Sequence, residues 1–475
     1  MSKKKTDGKK ADDQMHTLKG MRDLIGAEYY AYQGFFEKAA EIAIYYGFRA
    51  IETPIVEYES LFYHSIGADT DIMEKEIYTL RTRGGDKLAL RPEGTAPVMR
   101  AYFEHGMQSE PQPVLLYYGG QFFRHDNPQR GRYRELRQFG LEAIGTGKSI
   151  TDAMIIKVIL TILEEAGLSN LKVEINSIGD KDCRPNFKKE LTNYYKKHIR
   201  SLCPDCRDRL KTNPMRLLDC KNAKCQELKA DAPSAVGYLC GSCKQHFKEV
   251  LEYLDTMNVA YELNNSLVRG LDYYSRTVFE ISTLNASPVP EAEAFVDEAI
   301  VAQAPEEMLD EDGEVVVPQA KQEVKKVEPL PAGLSLAGGG RYDYLAKALG
   351  NKKGVSAVGA AIGVDRVIAA GGNKLLPRII KKPKIFFIQL SFEAKLKSMV
   401  VIEVLRKAKI PIAQAMTKDS LGAQLAIAER LRVPYCIILG QKEALEGSVI
   451  FRDMNNRSQH TIKIDKLAEF IKTIK

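Results

Sequence analysis

Two stretches of this sequence combine arginine, tyrosine and carboxylate side chains in a way that suits small anionic ligands. The first spans 119–142 and reads GGQFFRHDNPQRGRYRELRQFGLE. Two apolar segments flank an Asp-Asn-Pro turn, and this pattern predicts a long β-hairpin. Arginine makes planar, bidentate contacts with phosphate. The predicted arms carry several polar side chains that a ligand could contact: Arg124, Arg134, Arg137, Gln138 and Glu142.

The second stretch, 267–280, reads LVRGLDYYSRTVFE. Arg269 follows an apolar pair, and Asp272, Tyr273 and Tyr274 precede another predicted strand. Two tyrosine hydroxyls beside carboxylates can recognise a small polar ligand through directed hydrogen bonds. Together the two stretches predict one site for a nucleotide and a polar small molecule.

These stretches resemble a known family. The first is similar to motif 2 of the class II aminoacyl-tRNA synthetases, and LVRGLDYY resembles the histidine-specific signature of the histidyl-tRNA synthetases. AVGAAIGVDRV at 357–367 resembles motif 3, while LRPEGTAP at 90–97 and AGGGRYD at 337–343 match in order and spacing. The similarity runs from about Thr17 to the C-terminus. Five motifs in the right order identify the chain as a member of this family.

The resemblance implies a histidine–tRNA ligase. Such an enzyme activates L-histidine with ATP to histidyl-adenylate and transfers histidine to the 3′ end of histidine tRNA. The attacking carboxylate and the phosphate are both anionic, so the protein must neutralise and align them. By resemblance, Arg124 and Arg269 are catalytic and contact the α-phosphate. Arg366 would contact adenine or the terminal phosphates, and Mg²⁺ would add further neutralisation.

The histidine ligand needs partners for both ring nitrogens, because imidazole is polar and titrates near neutral pH. The resemblance assigns Glu142 and Tyr274 to the ring; a satisfied core network is the alternative for these two. Glu93, Thr95 and Gln138 would hold the α-amino group, with Gly94 in the same motif and Tyr273 nearby. The glycines of AGGGRYD fit either a close backbone approach to the ligand or a tight turn.

Six of the eight cysteines fall between residues 203 and 243. Two Cys-x-x-Cys pairs in a cytosolic chain predict a structural Zn²⁺ site, since each pair offers two thiolates to a tetrahedral ion. The resemblance does not imply zinc, and free thiols are the alternative. The predicted ligands are Cys203, Cys206, Cys240 and Cys243, with Cys220, Cys225 or His246 as possible replacements. Cys183 and Cys436 are interpreted as ordinary buried thiols.

The resemblance to the class II synthetases implies the fold class of the catalytic domain. We expect an α+β catalytic domain over 16–375, with a mainly antiparallel sheet flanked by helices. An amphipathic helix over 28–46 and a strand over 48–57 begin it, and by resemblance they form motif 1 and a homodimer interface. A helical, cysteine-rich insertion module is predicted at about 180–258.

Strand and helix alternate from 383 to 475, which predicts a C-terminal α/β domain. By resemblance this is the anticodon-binding domain, and histidine tRNA is the partner. On pattern alone it fits any α/β ligand-binding unit.

Two segments are predicted to be disordered. Residues 1–15 form a basic tail, for which a solvated tail and an RNA contact are both open. Residues 286–331 carry twelve carboxylates against three lysines, with six prolines and one aromatic residue. Such a segment buries too little apolar surface to offset its ordering entropy. We interpret it as a tolerated surface loop, with an RNA-mimicking or RNA-repelling role as the alternative.

Composition sets the remaining limits. A net charge of +7 is compatible with a nucleic-acid partner, and 44% hydrophobic residues are ordinary for a globular chain. The start lacks the apolar core of a signal peptide, and no apolar run reaches membrane-spanning length, so a cytoplasmic protein without a membrane partner is expected. The main rival is a non-catalytic regulatory subunit of ATP phosphoribosyltransferase, and a second is a zinc-dependent nucleic-acid-binding protein.

Overall fold

The computed structural model describes residues 16–67, 70, 72–283, 308, 309, 315, 316, 333–378, 383–415 and 420–474. The predicted tail 1–15 lies outside these residues, and so does the predicted acidic loop 286–331 apart from four residues. The chain divides into two compact units, with the main boundary between Leu376 and Pro377, and Ile25–Tyr29 are assigned to the smaller unit. Among the described residues no helix has the length and apolar character needed to cross a membrane.

The larger unit is built around an eight-stranded sheet. In chain order the strands of this unit are β1 (Arg49–Ala50), β2 (Val56–Tyr58), β3 (Thr79–Arg81), β4 (Lys87–Leu90), β5 (Val114–Phe123), β6 (Glu135–Ile144), β7 (Leu171–Ser177), β8 (Glu262–Leu263), β9 (Ser275–Thr283), β12 (Leu334–Arg341) and β13 (Ala357–Gly363). The isolated pair β10 (Met308–Leu309) and β11 (Val315–Val316) is assigned to the smaller unit.

The order of the large sheet is β1-β5-β6-β13-β12-β9-β7-β8. The two outermost pairs, β1 with β5 and β7 with β8, are parallel, and the pairs between them are antiparallel. The predicted mainly antiparallel sheet is therefore confirmed. Strands β2, β4 and β3 form a separate three-stranded sheet.

Several helices of this unit pack apolar faces against the large sheet. The larger unit contains α1 (Gly26–Tyr45), α2 (Glu59–Ile66), α3 (Thr95–Glu104), α4 (Ser149–Glu165), α5 (Arg184–Lys197), α6 (Pro204–Thr212), α7 (Ala223–Lys229), α8 (Gly241–Thr256), α9 (Leu345–Ala348) and α10 (Val364–Ala369). Helix α4 is buried along most of its length and packs with α8, β6 and β13 in one core cluster. Burial of this kind is the main source of stability in the unit.

The cysteine-rich module predicted at about 180–258 consists of α5 to α8 joined by short 3₁₀ turns. Its apolar side chains do not form an isolated core. Phe187, Leu191 and Tyr195 of α5 belong to the same buried cluster as Tyr273 and Tyr274. The module is therefore packed directly against the part of the chain that carries the histidine signature.

The smaller unit has a five-stranded sheet in the order β15-β14-β16-β17-β18. Its strands are β14 (Ile385–Gln389), β15 (Ile412–Gln414), β16 (Tyr435–Leu439), β17 (Ser448–Asp453) and β18 (Gln459–Lys463). Its helices are α11 (Phe392–Lys407), α12 (Leu421–Arg430), α13 (Gln441–Glu446) and α14 (Leu467–Thr473). Strands β14, β15 and β16 are parallel, as the strand–helix alternation predicts, and β17 and β18 add an antiparallel hairpin.

Candidate active site

A cleft of about 960 Å³, including the space open to solvent, lies against the large sheet. Strands β5, β6, β12 and β13 contribute to its wall, together with the start of α3, the loop before β9 and α10. Nine of the ten predicted ligand-binding and catalytic residues line it: Glu93, Gly94, Thr95, Arg124, Gln138, Arg269, Tyr273, Tyr274 and Arg366. Motifs separated by up to 270 residues in the chain thus converge on one site.

Glu142, the tenth, lies behind the cleft wall with its side chain fully buried. Three hydroxyl groups donate hydrogen bonds to its carboxyl: Thr95 at 2.7 Å, Tyr118 at 3.4 Å and Tyr342 at 2.5 Å. Two of these donors, Thr95 and Tyr118, line the cleft themselves. Glu142 is thus separated from the cleft by the hydroxyls that it binds.

Burial raises the pKa of the Glu142 carboxyl to about 8, and the nearby Glu93 carboxyl adds to the rise. The hydrogen bonds from Tyr342, Thr95 and Tyr118 act in the opposite direction because they stabilise the ionised form. A carboxyl with this pKa exchanges its proton near neutral pH, where the imidazole of histidine also titrates.

Two glycines make room for the Tyr118 ring. A Cβ at Gly140 would lie 2.1 Å from Cζ of Tyr118, and a Cβ at Gly94 would lie 2.3 Å from the same atom. Gly140 is the backbone partner of Tyr118 across β5 and β6. Any larger side chain at either position would displace the phenol, so these glycines set the position of the hydroxyl that reaches Glu142.

Glu93 precedes α3 and uses the unpaired N–H groups of its first turn. The amides of Thr95 and Ala96 donate to its carboxylate at 2.6 and 2.9 Å, and the Tyr273 hydroxyl lies at 3.5 Å. Burial raises the pKa of Glu93, whereas the two amides and Arg124 lower it. A fixed carboxylate beside the cleft is suited to a cationic ligand group such as an α-ammonium.

Tyr273 and Tyr274 pack close together, with ring centroids 4.7 Å apart and ring planes tilted by 47°, and Tyr342 meets Tyr273 edge-on at 5.8 Å. Burial raises the pKa of both phenols, so they remain neutral hydroxyls at physiological pH. The aromatic rings exclude water from one wall of the cleft, and their hydroxyls keep it polar.

The Arg269 guanidinium is held from one side by Glu280 of β9, whose Oε2 accepts from Nη1 at 2.8 Å. On the other side it lies against the backbone of β12. A Cβ at Gly338 would be 2.5 Å from Nη1 of Arg269. The absence of a side chain at this glycine therefore creates the space for the arginine.

The contact of Gly338 with Arg269 bears on the two interpretations of the AGGGRYD glycines, a close backbone approach or a tight turn. Gly339 lies against the neighbouring strand, where a Cβ would be 2.2 Å from the Gly359 carbonyl oxygen, and at Gly340 a Cβ would be 2.5 Å from the Thr277 carbonyl oxygen. The glycines permit close approach of Arg269 and of the flanking strands, and Gly338 also lines the cleft where the ligand is expected. They lie within β12, so the tight-turn reading is wrong.

The other two predicted arginines are anchored through backbone carbonyls. Arg124 Nε donates to the Pro92 carbonyl at 2.8 Å, and Arg366 Nη1 donates to the Ser335 carbonyl at 2.8 Å. Burial lowers the pKa of Arg366, and the positive charges of Arg132 and Arg124 lower it further. Cations held this close together repel one another, and a bound polyanion would relieve that repulsion.

Three residues of the site were missed by sequence reasoning. Tyr118 and Tyr342 donate to Glu142, and Asp365 accepts from the Arg137 amide at 2.6 Å and from the Tyr32 hydroxyl at 2.8 Å. Tyr342 and Asp365 lie inside the motifs AGGGRYD and AVGAAIGVDRV. Their position in these motifs could have identified them as residues of the site. Tyr118 precedes motif 2 and only strand pairing identifies it.

The cysteines correct the predicted zinc ligands. Cys203 and Cys206 lie with Cys220 and Cys225, whereas Cys240 and Cys243 lie with Asp180 and Cys183. The two Cys-x-x-Cys pairs begin different helices, α6 and α8, and each meets a partner segment of its own.

The positions of Cys183 and His246 also differ from those predicted. Cys183 is a member of a cluster and not an ordinary buried thiol. His246 instead lies 3.3 Å from Asp152, which also binds Arg341. Cys436 is buried in the smaller unit, as predicted.

A large, mainly antiparallel sheet carrying this cleft, joined to a C-terminal unit with its own sheet, defines a class II aminoacyl-tRNA synthetase. Residues 20–180 match the family described as Histidyl-tRNA synthetase, and residues 384–474 match the one described as Anticodon binding domain.

Full-length relatives make the assignment specific. A histidine–tRNA ligase of Dehalococcoides mccartyi is 39% identical over 450 residues, covering 94% of this chain and 97% of the relative. One from Thermodesulfovibrio yellowstonii is 37% identical over 455 residues, covering 96% and 97%. The crystal structure of apo S. aureus histidyl-tRNA synthetase superposes with a TM-score of 0.71 at 27% identity, covering 96% of this chain and 99% of that one. The chain belongs to the histidyl-tRNA synthetase family, as its motifs predict.

Proposed function

We propose that this chain is a histidine–tRNA ligase that forms histidyl-adenylate from L-histidine and ATP and then charges histidine tRNA. The observation that carries the proposal is the convergence of Arg124, Arg269 and Arg366 with Glu93 and the tyrosine pair on one cleft. Cations on one part of the wall suit the triphosphate, and neutral hydroxyls with a carboxylate on another part suit an amino acid.

In the first step an oxygen of the histidine carboxylate attacks the α-phosphorus of ATP. The new O–P bond replaces the bond to the bridging oxygen, and pyrophosphate leaves with that electron pair. Arg269 and Arg124 neutralise the charge that rearranges at the α-phosphate, and both are anchored before the ligands arrive. Such preorganised cations lower the barrier because they need no reorientation during the reaction.

Histidine selection rests on hydroxyls whose direction is fixed. Because Thr95 and Tyr118 donate their protons to Glu142, their oxygen lone pairs are free to accept from N–H groups of a ligand in the cleft. We propose that Glu142 recognises histidine through these hydroxyls. Tyr274 completes the ring contacts, and Glu93 and Gln138 hold the α-ammonium with Gly94 and Tyr273 beside them. An apolar analogue would leave these groups unpaired.

Mg²⁺ would supply charge neutralisation at the pyrophosphate leaving group. The acidic side chains that line the cleft are already engaged: Glu93 with two amides, Asp126 in an ion pair with Arg132, and Asp365 with the Arg137 amide. We therefore propose that phosphate oxygens and water supply most of its ligands, as is common for this ion. The predicted structural zinc would take no part in this chemistry, since none of the eight cysteines lines the cleft.

We further propose a cytoplasmic homodimer formed through motif 1. Ile44 and Tyr45 at the end of α1 and Tyr58 at the end of β2 are 59%, 85% and 63% exposed. Large apolar side chains with this exposure favour burial in an interface. The C-terminal unit would bind the anticodon arm of histidine tRNA.

ATP–pyrophosphate exchange with each of the twenty amino acids in turn tests the activity. We expect exchange with histidine alone, followed by charging of histidine tRNA. A structure described as an ATP phosphoribosyltransferase regulatory subunit/histidyl-tRNA synthetase from Bacillus halodurans C is similar, with a TM-score of 0.54 at 22% identity, but this does not favour the regulatory-subunit alternative. That likeness shows a shared fold only. A flat response to all amino acids would favour this alternative.

A further inference from the structure

Four cysteines form one buried group, and three cysteines with an aspartate form a second. We define site 1 as Cys203, Cys206, Cys220 and Cys225, and site 2 as Asp180, Cys183, Cys240 and Cys243. Within each site the donor atoms all lie within 4.8 Å of one another. We propose that each site binds one structural Zn²⁺, with four thiolates in site 1 and three thiolates and a carboxylate in site 2.

The sulfur spacing fits a tetrahedral ion. The Sγ atoms of Cys203 and Cys220 are 3.8 Å apart in site 1, and those of Cys183 and Cys243 are 3.8 Å apart in site 2. Four sulfurs placed about 2.3 Å from a central Zn²⁺ are separated by about 3.8 Å along each edge of the tetrahedron. A disulfide would instead require about 2.05 Å.

Asp180 stands where a fourth thiolate would otherwise be needed in site 2. Its Oδ1 lies 3.3 Å from the Cys183 sulfur, and its Oδ2 lies 3.8 Å from the Cys240 sulfur. A zinc–oxygen bond of about 2.0–2.2 Å beside a zinc–sulfur bond gives an edge of roughly 3.6 Å. The Asp182 amide donates to Oδ1 at 3.0 Å and fixes the orientation of the carboxylate.

Backbone amides point at the sulfurs in both sites. The Cys203 amide donates to Cys225 Sγ at 3.4 Å, the Asn222 amide to Cys220 Sγ at 3.5 Å, and the Asp180 amide to Cys183 Sγ at 3.2 Å. Hydrogen bonds of this kind to the sulfur atoms stabilise thiolates and orient them toward a metal. At Gly179 a Cβ would lie 2.4 Å from the Cys183 sulfur, so the chain can approach it only with glycine there.

Site 2 connects the insertion module to the wall of the active site. Its residues come from the loop after β7 and from the start of α8. That loop is hydrogen-bonded to the strand that follows Tyr274: the Arg276 amide donates to the Gly179 carbonyl at 2.8 Å, and the Arg184 guanidinium donates to the Tyr274 carbonyl. Both sites lie within 180–258, but only site 2 includes the loop that joins the module to β7, so the two ions have different structural consequences.

Metal analysis of the full-length protein, purified under reducing conditions, tests the proposal. We expect two zinc ions per chain in the wild type, one in Cys206→Ser and one in Cys243→Ser. Cys436→Ser, a buried cysteine outside both sites, is the matched control and should keep two. A single shared site made of both Cys-x-x-Cys pairs would give one ion per chain, lost in both variants, and this result would overturn the two-site assignment.

A measurement on the wild type avoids variants that fail to fold. Titration with an organomercurial in the presence of a zinc-sensitive dye should release two ions as the thiols are consumed. A protein whose thiols all react without releasing zinc would contradict the proposal.

Asp180→Asn tests the carboxylate ligand, with Asp182→Asn as the neighbouring control. We expect Asp180→Asn to lose one ion to a competing chelator at concentrations at least tenfold lower than the wild type needs. Asp182→Asn keeps every ligand and should retain both ions at those concentrations. Equal retention in Asp180→Asn and the wild type would exclude Asp180 from the site.

Discussion

Arg269 reaches the cleft only because two neighbours hold it there. Glu280 binds its Nη1 atom, and Gly338 leaves space for the guanidinium. A cation fixed in this way stabilises charge that appears during the reaction more than it stabilises either substrate alone. Its contribution should therefore be visible in the rate of adenylate formation.

We expect Arg269→Ala to form histidyl-adenylate on the order of 10²–10³ more slowly, with a smaller change in the KM for histidine. Arg269→Lys should restore only part of the rate, because a point charge does not reproduce the bidentate guanidinium. Pre-steady-state adenylate formation is the measurement. Arg406→Ala, which removes an exposed arginine of the smaller unit, is the control. A normal rate in Arg269→Ala would remove this residue from the mechanism.

Glu142 predicts a pH dependence of stability. Burial raises its pKa from 4.5 to about 8, so the folded protein binds this proton more tightly than the unfolded chain does. The corresponding stability is present at low pH and is lost as pH rises from 4.5 toward 8, by up to roughly 1.4 kcal/mol per pH unit. Glu142→Gln carries no titrating group there.

The thermal midpoint of Glu142→Gln should therefore rise relative to that of the wild type between pH 5 and pH 8. Circular dichroism at a series of pH values is sufficient for the comparison. Profiles that stay parallel across this range would show that the carboxyl of Glu142 does not change its pKa on folding.

For the residues of the candidate site, the sequence predicts residue types better than the contacts between them. Nine predicted residues line the cleft because the motifs fix both their identity and their order. The role of Glu142 depends on Tyr118 and Tyr342, which are 24 and 200 positions away in the chain. Contacts over such separations arise from strand pairing, which residue spacing does not reveal.

Strand β12 sets the position of Arg269, the proposed catalytic arginine. Gly338→Ala should slow adenylate formation in the same direction as Arg269→Ala, because the new methyl group would displace the guanidinium while its charge is kept. Gly422→Ala is a matched control, since a Cβ there meets no atom within 4 Å. The same assay measures both variants. An unchanged rate in Gly338→Ala would mean that Arg269 can act from a second position.

The strands that flank the acidic segment are paired with each other in the large sheet. Thr283 at the end of β9 is paired with Leu334 at the start of β12. A short linker can therefore join the strands, and shortening a loop from about 50 to about 10 residues favours folding by roughly 1.4 kcal/mol. Replacing 286–331 with a short Gly/Ser linker should leave histidine activation nearly unchanged. A large loss of kcat for adenylate formation would instead make the segment part of the active site.

Among the elements, periodicity predicted the helices and parallel strands of the smaller unit but not its last hairpin. Ser448–Asp453 and Gln459–Lys463 pair with each other, and Gln459–Lys463 is largely exposed, so it lacks the apolar run that marks a buried strand. The cysteine groups show a similar limit. Cys240 meets Asp180 through the fold around β7 and α8, and the spacing of Cys-x-x-Cys pairs carries no information about that contact.

For the whole molecule, dimer formation is open to a direct test. Tyr45→Glu would place a charge in the proposed motif 1 interface, and we expect it to shift the protein from dimer to monomer and to lower activity. Leu445→Glu alters a side chain of comparable exposure, 80% against 85%, in the smaller unit and should leave the dimer intact. Sedimentation velocity distinguishes the species. A dimer that persists in Tyr45→Glu, or a monomeric wild type, would contradict the interface.

The pairing of β9 with β12 also bears on what happens if the backbone is broken. Peptide cleavage between residues 284 and 333 would separate Arg269 from Arg366 covalently. The two fragments would still share a ladder from Thr283–Leu334 to Ser275–Arg341 in the middle of an eight-stranded sheet. We therefore expect a nicked molecule to remain one particle with an intact cleft. Covalent continuity at this position is dispensable because hydrogen bonding and burial hold the same strands together.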